Sequence, residues 1–500
     1  MALVASFIKG TIFLIVVIFL SKCFGFLYRM QFMRVAGEEA VGIYMTAYPT
    51  FIFFISIAQL GLPIAVAKLT AELRAKKRDA DVQAVMAKAI FISTIAIIIL
   101  LPPLYFSLPW LARTLLQNEA IALTLKVSLL TVPIVVYASL IKAYLQGLAK
   151  ITPTAWAQLL EQVLRIALVT LLLPYFVHTD ASLTAAGAML ITLLGEIFSL
   201  LFLAFHYAKE KYSQKTNSYP AAPLFRIALP SAGSKMFGTF TWFLEPIIFL
   251  KALTVSGLAA TAATTLYGVI SGVHIPLLLF PSFIPNALAI VLIPAVSDAV
   301  ARNNTAVLTE RVAVSLRLSS IIGCFAATYF FIYGDELAMK LFHLEENRGF
   351  MKILAPIFYF YYVQSPLHSI LQAVDEARAA MMNSVYGGLA KLFILFALAS
   401  QPFIQEKGAI IAIGFGVLIT SFLHIATLRQ HPRIGVGYQI FVVPYGIFIV
   451  VATFQSFISL TGHFWIDNAI TLLMVTFLLI IMRQIRWTDL RYLRAIFSRL

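Results

Sequence analysis

Two cations recur at the same distance from a glutamine in two distant parts of the chain. Arg165 lies nineteen positions after Gln146 (165 − 146), and Lys391 lies nineteen positions after Gln372 (391 − 372). Each cation lies near the middle of an apolar run that is long enough to cross a bilayer. Because a positive charge inside a membrane is costly, its repetition indicates a functional role. It also predicts two related halves that face each other across a site.

The first apolar run carries three more cations. Lys22 and Arg29 are seven positions apart and share a helix face, and Arg34 follows just beyond. In one interpretation, Arg29 and Arg34 extend to the outer membrane interface, although positive residues are normally rare on that side. In the other, this helix face lines a cavity that binds an anion.

The cation of the first repeat has an acid close by in sequence. Glu161 lies four positions before Arg165, so the two can pair on one helix face and form a structural ion pair. Lys391 has no acid four positions away on either side. The sequence therefore favours Lys391 over Arg165 as a ligand for substrate.

The seventh apolar run contains a base, Lys235, and an acid, Glu245. Glu245 precedes Pro246, which favours a kink, and a carboxylate at a broken helix can bind a cation or a proton. Asn383 could supply a second oxygen, and Glu196 in the sixth run is a similar lone acid. The alternative is that a nearby lysine neutralises Glu245.

Cations outnumber acids in the expected cavity once Arg165 and Glu161 are counted as a pair. The acids that remain are Glu245 and Glu196. The cations that remain, and that we predict to bind substrate, are Lys22, Arg29, Arg34, Lys235 and Lys391. A basic cavity suits an anionic headgroup, because arginine matches phosphate oxygens and lysine supplies a point charge.

No motif in the sequence points to catalysis or to a cofactor. The chain has no P-loop, no dinucleotide fingerprint and no Ser/His/Asp arrangement. His274, His368 and His424 are scattered without metal-ligand spacing, and Cys23 and Cys324 lie in apolar runs. We therefore expect a protein that is not an enzyme and has no cofactor or metal. Transport would use Na⁺, H⁺, the membrane potential or the substrate gradient.

Composition places the chain among helical membrane proteins. Of its 500 residues, 61% are hydrophobic and 12% are charged, with a mean hydropathy of +0.91. The net charge of +15 lies mostly in loops and the tail, where it predicts contact with anionic lipids and no nucleic acid. The first apolar run lacks a clear cleavage site, so we expect a retained helix.

The apolar runs predict an all-α polytopic membrane protein with about fourteen transmembrane helices. Lysine and arginine are concentrated in alternate loops, so we expect both termini to be cytoplasmic. The predicted spans are approximately 7–29, 40–66, 84–107, 121–145, 154–176, 184–207, 224–250, 266–295, 312–333, 351–372, 379–399, 409–428, 438–460 and 465–482.

The duplication extends beyond the glutamine motif. Tyr48–Phe51 resembles Phe280–Phe283 at an offset of 232, whereas the glutamines differ by 226, so a short insertion is expected. We predict two pseudo-symmetric six-helix lobes around a central cavity, with two extra helices. The predicted bounds are 1–207, 208–433, 434–482 for the extra helices and 483–500 for a basic amphipathic cytoplasmic tail on the anionic inner leaflet.

Six motifs in the chain carry a resemblance to a known family. They are Gly37–Tyr44, Gln59–Pro63, Trp242–Ile247, Leu266–Gly268, Leu279–Phe283 and Ala379–Ser384. In these motifs, and from the first helix to the tail, the chain resembles the stage V sporulation protein B family of the multidrug, oligosaccharidyl-lipid and polysaccharide exporter superfamily. The resemblance implies a fourteen-helix fold. It also implies transport of a lipid-linked peptidoglycan precursor (lipid II type) across the bacterial cytoplasmic membrane for the spore cortex.

The resemblance also bears on individual residues. Arginines of the first helix line the cavity in lipid II flippases. Arg29 and Arg34 match that pattern, while Lys22 stands where an arginine is commoner. The charges that some flippases carry in the second helix are absent here, where Gln59 interrupts an apolar run. Those roles are not carried over to this chain.

Other functions are consistent with parts of the sequence. A cation-coupled multidrug antiporter would need an acidic cavity. An exporter of another lipid-linked oligosaccharide, of the polysaccharide or teichoic acid type, would need a basic cavity like the one expected here. A glycosyltransferase would need a catalytic carboxylate in a large external loop, and the loop with Asp335, Glu336, Glu345 and Glu346 is short. A scaffold would not need buried cations. We expect a monomer, with cell-wall synthesis proteins as further partners.

Overall fold

The computed structural model describes residues 2–177, 180–210, 219–432, 434–457 and 464–486. Within these ranges the secondary structure is helical, without any β-strand. Apolar runs fold in this way because a membrane-spanning backbone must satisfy its own N–H and C=O groups. The chain divides into two compact units, Met1–Val273 and His274–Leu500.

The first unit contains nine α-helices and two π-helical turns in its described part, the second turn ending at His274 of the next unit. The turns are Leu111–Leu115 after α3 and Ile270–His274 after α9. The helices are α1 (Ala2–Gln59), α2 (Leu62–Ala75), α3 (Asp79–Trp110), α4 (Ile121–Gly147), α5 (Ile151–Leu171), α6 (Pro174–Val177), α7 (Ala181–Lys209), α8 (Ala221–Val255) and α9 (Ala260–Val269).

The second unit contains eight α-helices in its described part, with a 3₁₀ turn at Phe280–Ser282. They are α10 (Ile275–Leu279), α11 (Phe283–Ala301), α12 (Thr305–Phe342), α13 (Phe350–Ala373), α14 (Ala377–Ala399), α15 (Gln405–Gln430), α16 (Gln439–Phe457) and α17 (Phe464–Ile481). Across all described residues, nine helices meet length and composition criteria for a membrane span, and two shorter ones are also apolar. The helices follow the predicted spans in order, which confirms the all-α polytopic fold.

Each unit has its own apolar core. In the first unit, Leu62, Met86, Tyr144 and Leu203 bring α2, α3, α4 and α7 together. In the second unit, Leu316 of α12, Leu371 of α13 and Ile425 of α15 belong to one cluster. A second cluster joins α12 to α16 and α17. The cores hold the helices that carry the candidate site residues.

The segment α1 consists of two helices that meet at a kink at Gly37, which agrees with separate first and second predicted spans. The second predicted span, 40–66, continues past Gln59 into α2. Inside α1, Gly37 adopts φ 77° and ψ 171°, which no other residue type adopts without strain. A Cβ added to Gly37 would meet no atom of the described residues within 4 Å. The requirement for glycine at the break therefore comes from the backbone and not from crowding.

Glycines also allow α1 and α9 to touch backbone to backbone. A Cβ on Gly42 would lie 2.6 Å from the carbonyl oxygen of Thr264, and a Cβ on Gly268 would overlap the backbone of Gly42. Small residues permit this close approach in a bilayer, where helix association depends on packing. The contact holds the second half of α1 beside the π-helical turn that follows α9.

The duplication is visible in the backbone of the loops. Three residues in the left-handed region of the first half are matched, 226 positions later, by three in the second half. The pairs are Lys77 and Asn303, Gln117 and His343, and Ala149 and Asp375. Because such conformations are uncommon outside glycine, three coincidences at one offset indicate two copies of one fold.

Hydrogen bonds at the equivalent turns agree with this. Lys150 N donates to Leu145 O over 2.8 Å, and Glu376 N donates to Leu371 O over the same distance. Both are the six-residue closure of a helix C-terminus. The helices α5 and α14 begin immediately afterwards, at Ile151 and Ala377, again 226 apart. The predicted lobe boundaries themselves stay predictions.

We expect the Gly37→Ala substitution to destabilise the protein, because alanine is strained at this φ and ψ. The expected loss is about 1–3 kcal/mol. Thermal unfolding in detergent would measure it. Gly233→Ala is the matched control: a Cβ there also meets no described atom within 4 Å, but the backbone is helical. Equal unfolding midpoints for the two variants would contradict this explanation.

Candidate functional site

A network of four charges is buried in the first unit. Arg165 Nη2 donates to Glu161 Oε1 over 2.8 Å and to Glu196 Oε1 over 2.9 Å. Lys142 Nζ lies 3.9 Å from Glu161 Oε2. The side chains of Glu161, Arg165 and Glu196 are 7%, 12% and 14% exposed. Two bases and two acids balance one another, so the network has no net charge when all four groups are ionised.

Three helices position this network. One turn of α5 separates Glu161 from Arg165, as predicted, while Lys142 lies on α4 and Glu196 on α7. A Cβ on Gly195 would lie 3.0 Å from Arg165 Cγ, so this glycine makes room for the arginine against α7. Glu196 was expected to be a lone acid, and the structure corrects this by pairing it with Arg165.

Lys142 was missed in the sequence, although a signal was available there. It lies four positions before Gln146, and His368 lies four positions before Gln372. The repeated motif therefore includes a further basic or titratable residue in each half. The pairing of Lys142 with Glu161 joins two helices, so local spacing on one helix could not reveal it.

The second unit has a cation in the same setting. A Cβ on Gly416 of α15 would lie 2.8 Å from Lys391 Cβ and 3.1 Å from its Cγ. Lys391 of α14 therefore packs against a glycine of the helix that follows in sequence, as Arg165 packs against Gly195. The nineteen-residue repeat thus marks equivalent positions in two copies of one helix pair.

The acids of the first unit are not repeated at these positions. Gly387 is 226 positions after Glu161, at the equivalent place on α14. Gly416 is followed by Val417, whereas Gly195 is followed by Glu196. The second half keeps the cation of the repeat without either of the two carboxylates that bind Arg165.

Two histidines of the second unit are neighbours. The ring centroids of His368 and His424 are 5.5 Å apart, and Gln372 Nε2 donates to His368 Nε2 over 3.1 Å. His424 is 1% exposed, and neither of its ring nitrogens has a hydrogen-bond partner among the described residues. These residues are 56 positions apart in sequence and meet across α13 and α15, a contact that their spacing did not predict.

Arg29 contacts an irregular helix. Its Nη1 donates to the carbonyl oxygen of Ser271 over 3.3 Å. Ser271 lies in the π-helical turn after α9, and such turns often mark functional sites. Lys22 and Arg34 are exposed on the same helix as the partly buried Arg29. The structure therefore gives Arg29 a fixed position in the first unit, and the substrate role of all three stays a prediction.

Lys235 is held by a glutamine that interrupts an otherwise apolar run. Lys235 Nζ donates to Gln59 Oε1 over 2.7 Å, and Gln59 Nε2 donates to Ser139 Oγ over 3.0 Å. This chain of bonds links α8, α1 and α4. An ammonium has three donors, so the bond to Gln59 leaves Lys235 able to bind an anion as well.

The two proposed coupling residues have well-defined surroundings. Glu245 is buried in α8, whose helical assignment continues through Pro246 to Val255, and the kink expected at this proline stays a prediction. Neighbouring helices can accommodate proline within a membrane helix. In the second unit, Asn383 is buried and its Nδ2 donates to Thr427 Oγ1 over 2.9 Å. Their predicted role in cation coupling stays a prediction.

We expect Arg165→Met to destabilise the protein by about 3–5 kcal/mol, because it leaves two buried carboxylates facing one lysine. Adding Glu196→Gln restores the balance of charge, so the double variant should recover part of the loss. Unfolding midpoints of the native protein, the two single variants Arg165→Met and Glu196→Gln, and the double variant form the cycle. The control is Arg113→Met, which breaks an exposed ion pair with Glu119 and should be near neutral. An equal effect of Arg165→Met and Arg113→Met would refute the network.

We expect His424→Leu to raise stability by about 1–3 kcal/mol, since it removes a buried polar ring that lacks hydrogen bonds. His368→Leu is the control, and it should lower stability because it leaves Gln372 without its partner. Thermal unfolding in detergent distinguishes the two. A lower midpoint for His424→Leu would mean that its imidazole binds a polar group.

Comparison with known proteins agrees with this architecture. A family model described as polysaccharide biosynthesis protein matches residues 7–300. Stage V sporulation protein B of Bacillus subtilis (strain 168) is 33% identical over 476 residues, covering 93% of this chain and 92% of that protein. The similarity extends over nearly the full length of both proteins.

Two solved structures share the fold. A lipid II flippase MurJ in an inward closed conformation superposes with a TM-score of 0.70 at 13% identity, covering 95% of this chain and 98% of its own. An inward-facing multidrug resistance MATE family transporter of the MOP superfamily gives 0.65 at 15% identity, covering 82% and 96%. Such neighbours have fourteen transmembrane helices. This chain is therefore a multi-pass membrane protein that belongs to the stage V sporulation protein B family.

Proposed function

We propose that this protein is a flippase for an undecaprenyl-pyrophosphate-linked peptidoglycan precursor of the lipid II type, working by alternating access in the bacterial cytoplasmic membrane. Its relatives are named for sporulation and for lipid II flipping, which supports spore cortex synthesis as the setting. The observation that carries the proposal is that the acids paired with the first repeated cation, Arg165, are not repeated in the second half. The carboxylates that neutralise Arg165 have no counterparts at Gly387 and Val417.

The balance of charge favours an anionic substrate. With all four groups ionised, the network of the first unit is neutral, so Arg165 adds no net charge there. The cations outside the network are those predicted to bind substrate: Lys22, Arg29, Arg34, Lys235 and Lys391. A pyrophosphate supplies the oxygens that arginine and lysine bind well. Arg29 and Lys235 have fixed positions through Ser271 and Gln59, which favours preorganised binding.

Transport needs no catalytic step under this proposal. The pyrophosphate-sugar headgroup enters from the cytoplasmic leaflet while the lipid tail stays in the bilayer along α16 and α17, and the two halves then alternate in their access. An inside-negative potential drives an anion outward, by about 2.3 kcal/mol per charge per 100 mV across the full field. The membrane potential can thus supply the energy, with Na⁺ or H⁺ coupling at Glu245 and Asn383 as the alternative.

We expect the purified protein to move labelled lipid II across proteoliposomes under an imposed potential. Arg29→Gln and Lys391→Gln should each lower the initial rate about tenfold, the effect of losing one charge-assisted hydrogen bond. The matched control is Lys251→Gln, which removes an exposed charge at the end of α8 and should keep the native rate.

Three results would contradict the proposal in different ways. A native rate equal to that of protein-free vesicles would reject flipping of lipid II. Faster movement of another lipid-linked oligosaccharide would identify an exporter of a different polymer. Loss of drug export in Glu245→Gln, with Arg29→Gln unaffected, would identify a cation-coupled antiporter.

A further inference from the structure

The second unit contains a cavity that lies at neither the repeated cations nor the histidine pair. Its volume is about 610 Å³, and it opens beside the first turns of α12. The cationic side chains in its wall are Arg317 of α12 and Arg486, which follows α17. This end of α12 adjoins the loop with Arg302, one of the basic loops that predict the cytoplasmic side.

One face of α12 forms much of the cavity wall. Thr309, Ala313 and Arg317 succeed one another at intervals of four positions, so they lie one above the other on the helix. Arg317 lies twelve positions after the start of α12, or about 18 Å along its axis. A 38-residue helix is longer than a bilayer core requires, so this depth corresponds to the membrane interface.

The cavity wall is basic. Arg317 is only 7% exposed, so its guanidinium carries a charge largely shielded from water, and its five donors allow it to bind more than one group. Arg486 Nε donates to the carbonyl oxygen of Arg483 over 3.2 Å, which orients the side chain and uses one of its five donors. Among the described residues of the wall Glu310 is the acid, so two arginines against one carboxylate give this part of the wall a net positive charge.

The cavity wall is also amphipathic. Ala313 and Val314 line it together with the two arginines, and the hydroxyl of Thr309 adds a small donor. A free phosphate ion would leave the apolar part of such a wall uncovered. A phospholipid would cover both parts, with its phosphate at the arginines and its glycerol and upper acyl chain at the apolar side chains.

We propose that this cavity binds an anionic phospholipid of the cytoplasmic leaflet, with the phosphate held by Arg317 and Arg486. The bound lipid joins α12 to the chain segment that follows α17. Those two helices already share a buried cluster that includes Ile321, Val475 and Leu479. The lipid therefore fastens the last helix of the chain to the second unit, independently of the transported substrate.

The test uses the full chain in a neutral detergent and counts bound lipid by native mass spectrometry. Dioctanoyl phosphatidylglycerol, dioctanoyl phosphatidylcholine and inorganic phosphate are the three probes. The native protein should bind the phosphatidylglycerol about tenfold more tightly than the phosphatidylcholine, and inorganic phosphate weakly, as expected for charge-assisted bonds in a partly apolar site. The double variant Arg317→Gln/Arg486→Gln should lose this preference.

The matched control is Arg302→Gln/Arg311→Gln, which removes the same charge nearby. Arg302 Nε donates to Asp298 Oδ1 over 2.8 Å, and Arg311 Nη1 lies 3.6 Å from Asp298 Oδ2. The hydrogen bond from Arg302 lowers the pKa of Asp298, so this carboxylate stays ionised and keeps both arginines at its own position. The control variant should retain the preference for phosphatidylglycerol.

Arg486→Gln alone is the safeguard if the buried Arg317 proves necessary for folding, because Arg486 is exposed. It should weaken phosphatidylglycerol binding several-fold while the unfolding midpoint without lipid stays unchanged. Equal binding of the two phospholipids, or equal losses in the double and control variants, would overturn the proposal. Inorganic phosphate that competes as strongly as phosphatidylglycerol would identify a free anion as the ligand and overturn the lipid assignment.

Discussion

A charge buried in an apolar medium must be balanced by opposite charge, and the rest of this structure depends on the side chains that provide this balance. Arg165 lies between Glu161 and Glu196 at hydrogen-bonding distance, with Lys142 beside the first acid. The network ties α4, α5 and α7 to one another, because each helix contributes charges that would be destabilising alone. Gly195 also contributes to this arrangement, because its small size lets the Arg165 side chain lie against α7.

The second half repeats the loop conformations and helix ends of the first half, but not its two acids at the equivalent positions. Loops with matching left-handed residues, and helix ends with matching hydrogen bonds, recur at an offset of 226. Lys391 packs against Gly416 as Arg165 packs against Gly195. The positions of the two acids hold glycine and valine instead. Duplication thus preserved the place for a cation, whereas the two carboxylates that bind Arg165 are not repeated at the equivalent positions.

Glycines and a glutamine position charged side chains in the first unit. The break at Gly37 redirects α1, and the close contact of Gly42 with Gly268 places Arg29 beside the π-helical turn. Gln59 connects Lys235 to Ser139 and so joins three helices. These small or neutral residues position the cations that we propose to bind substrate, so the site depends on more than its charged members.

Apolar length and charge in the sequence were enough to predict the all-α membrane fold and its duplication, because both are properties of consecutive residues. The Glu161–Arg165 pair was predictable for the same reason, since both lie on one helix turn. Contacts between helices could not be predicted in this way. The pairing of Glu196 and Lys142 with this network, and the contact of His368 with His424, depend on which helices pack together. Packing joins residues that are far apart in the chain, and the periodicity of a single helix carries no information about its neighbours.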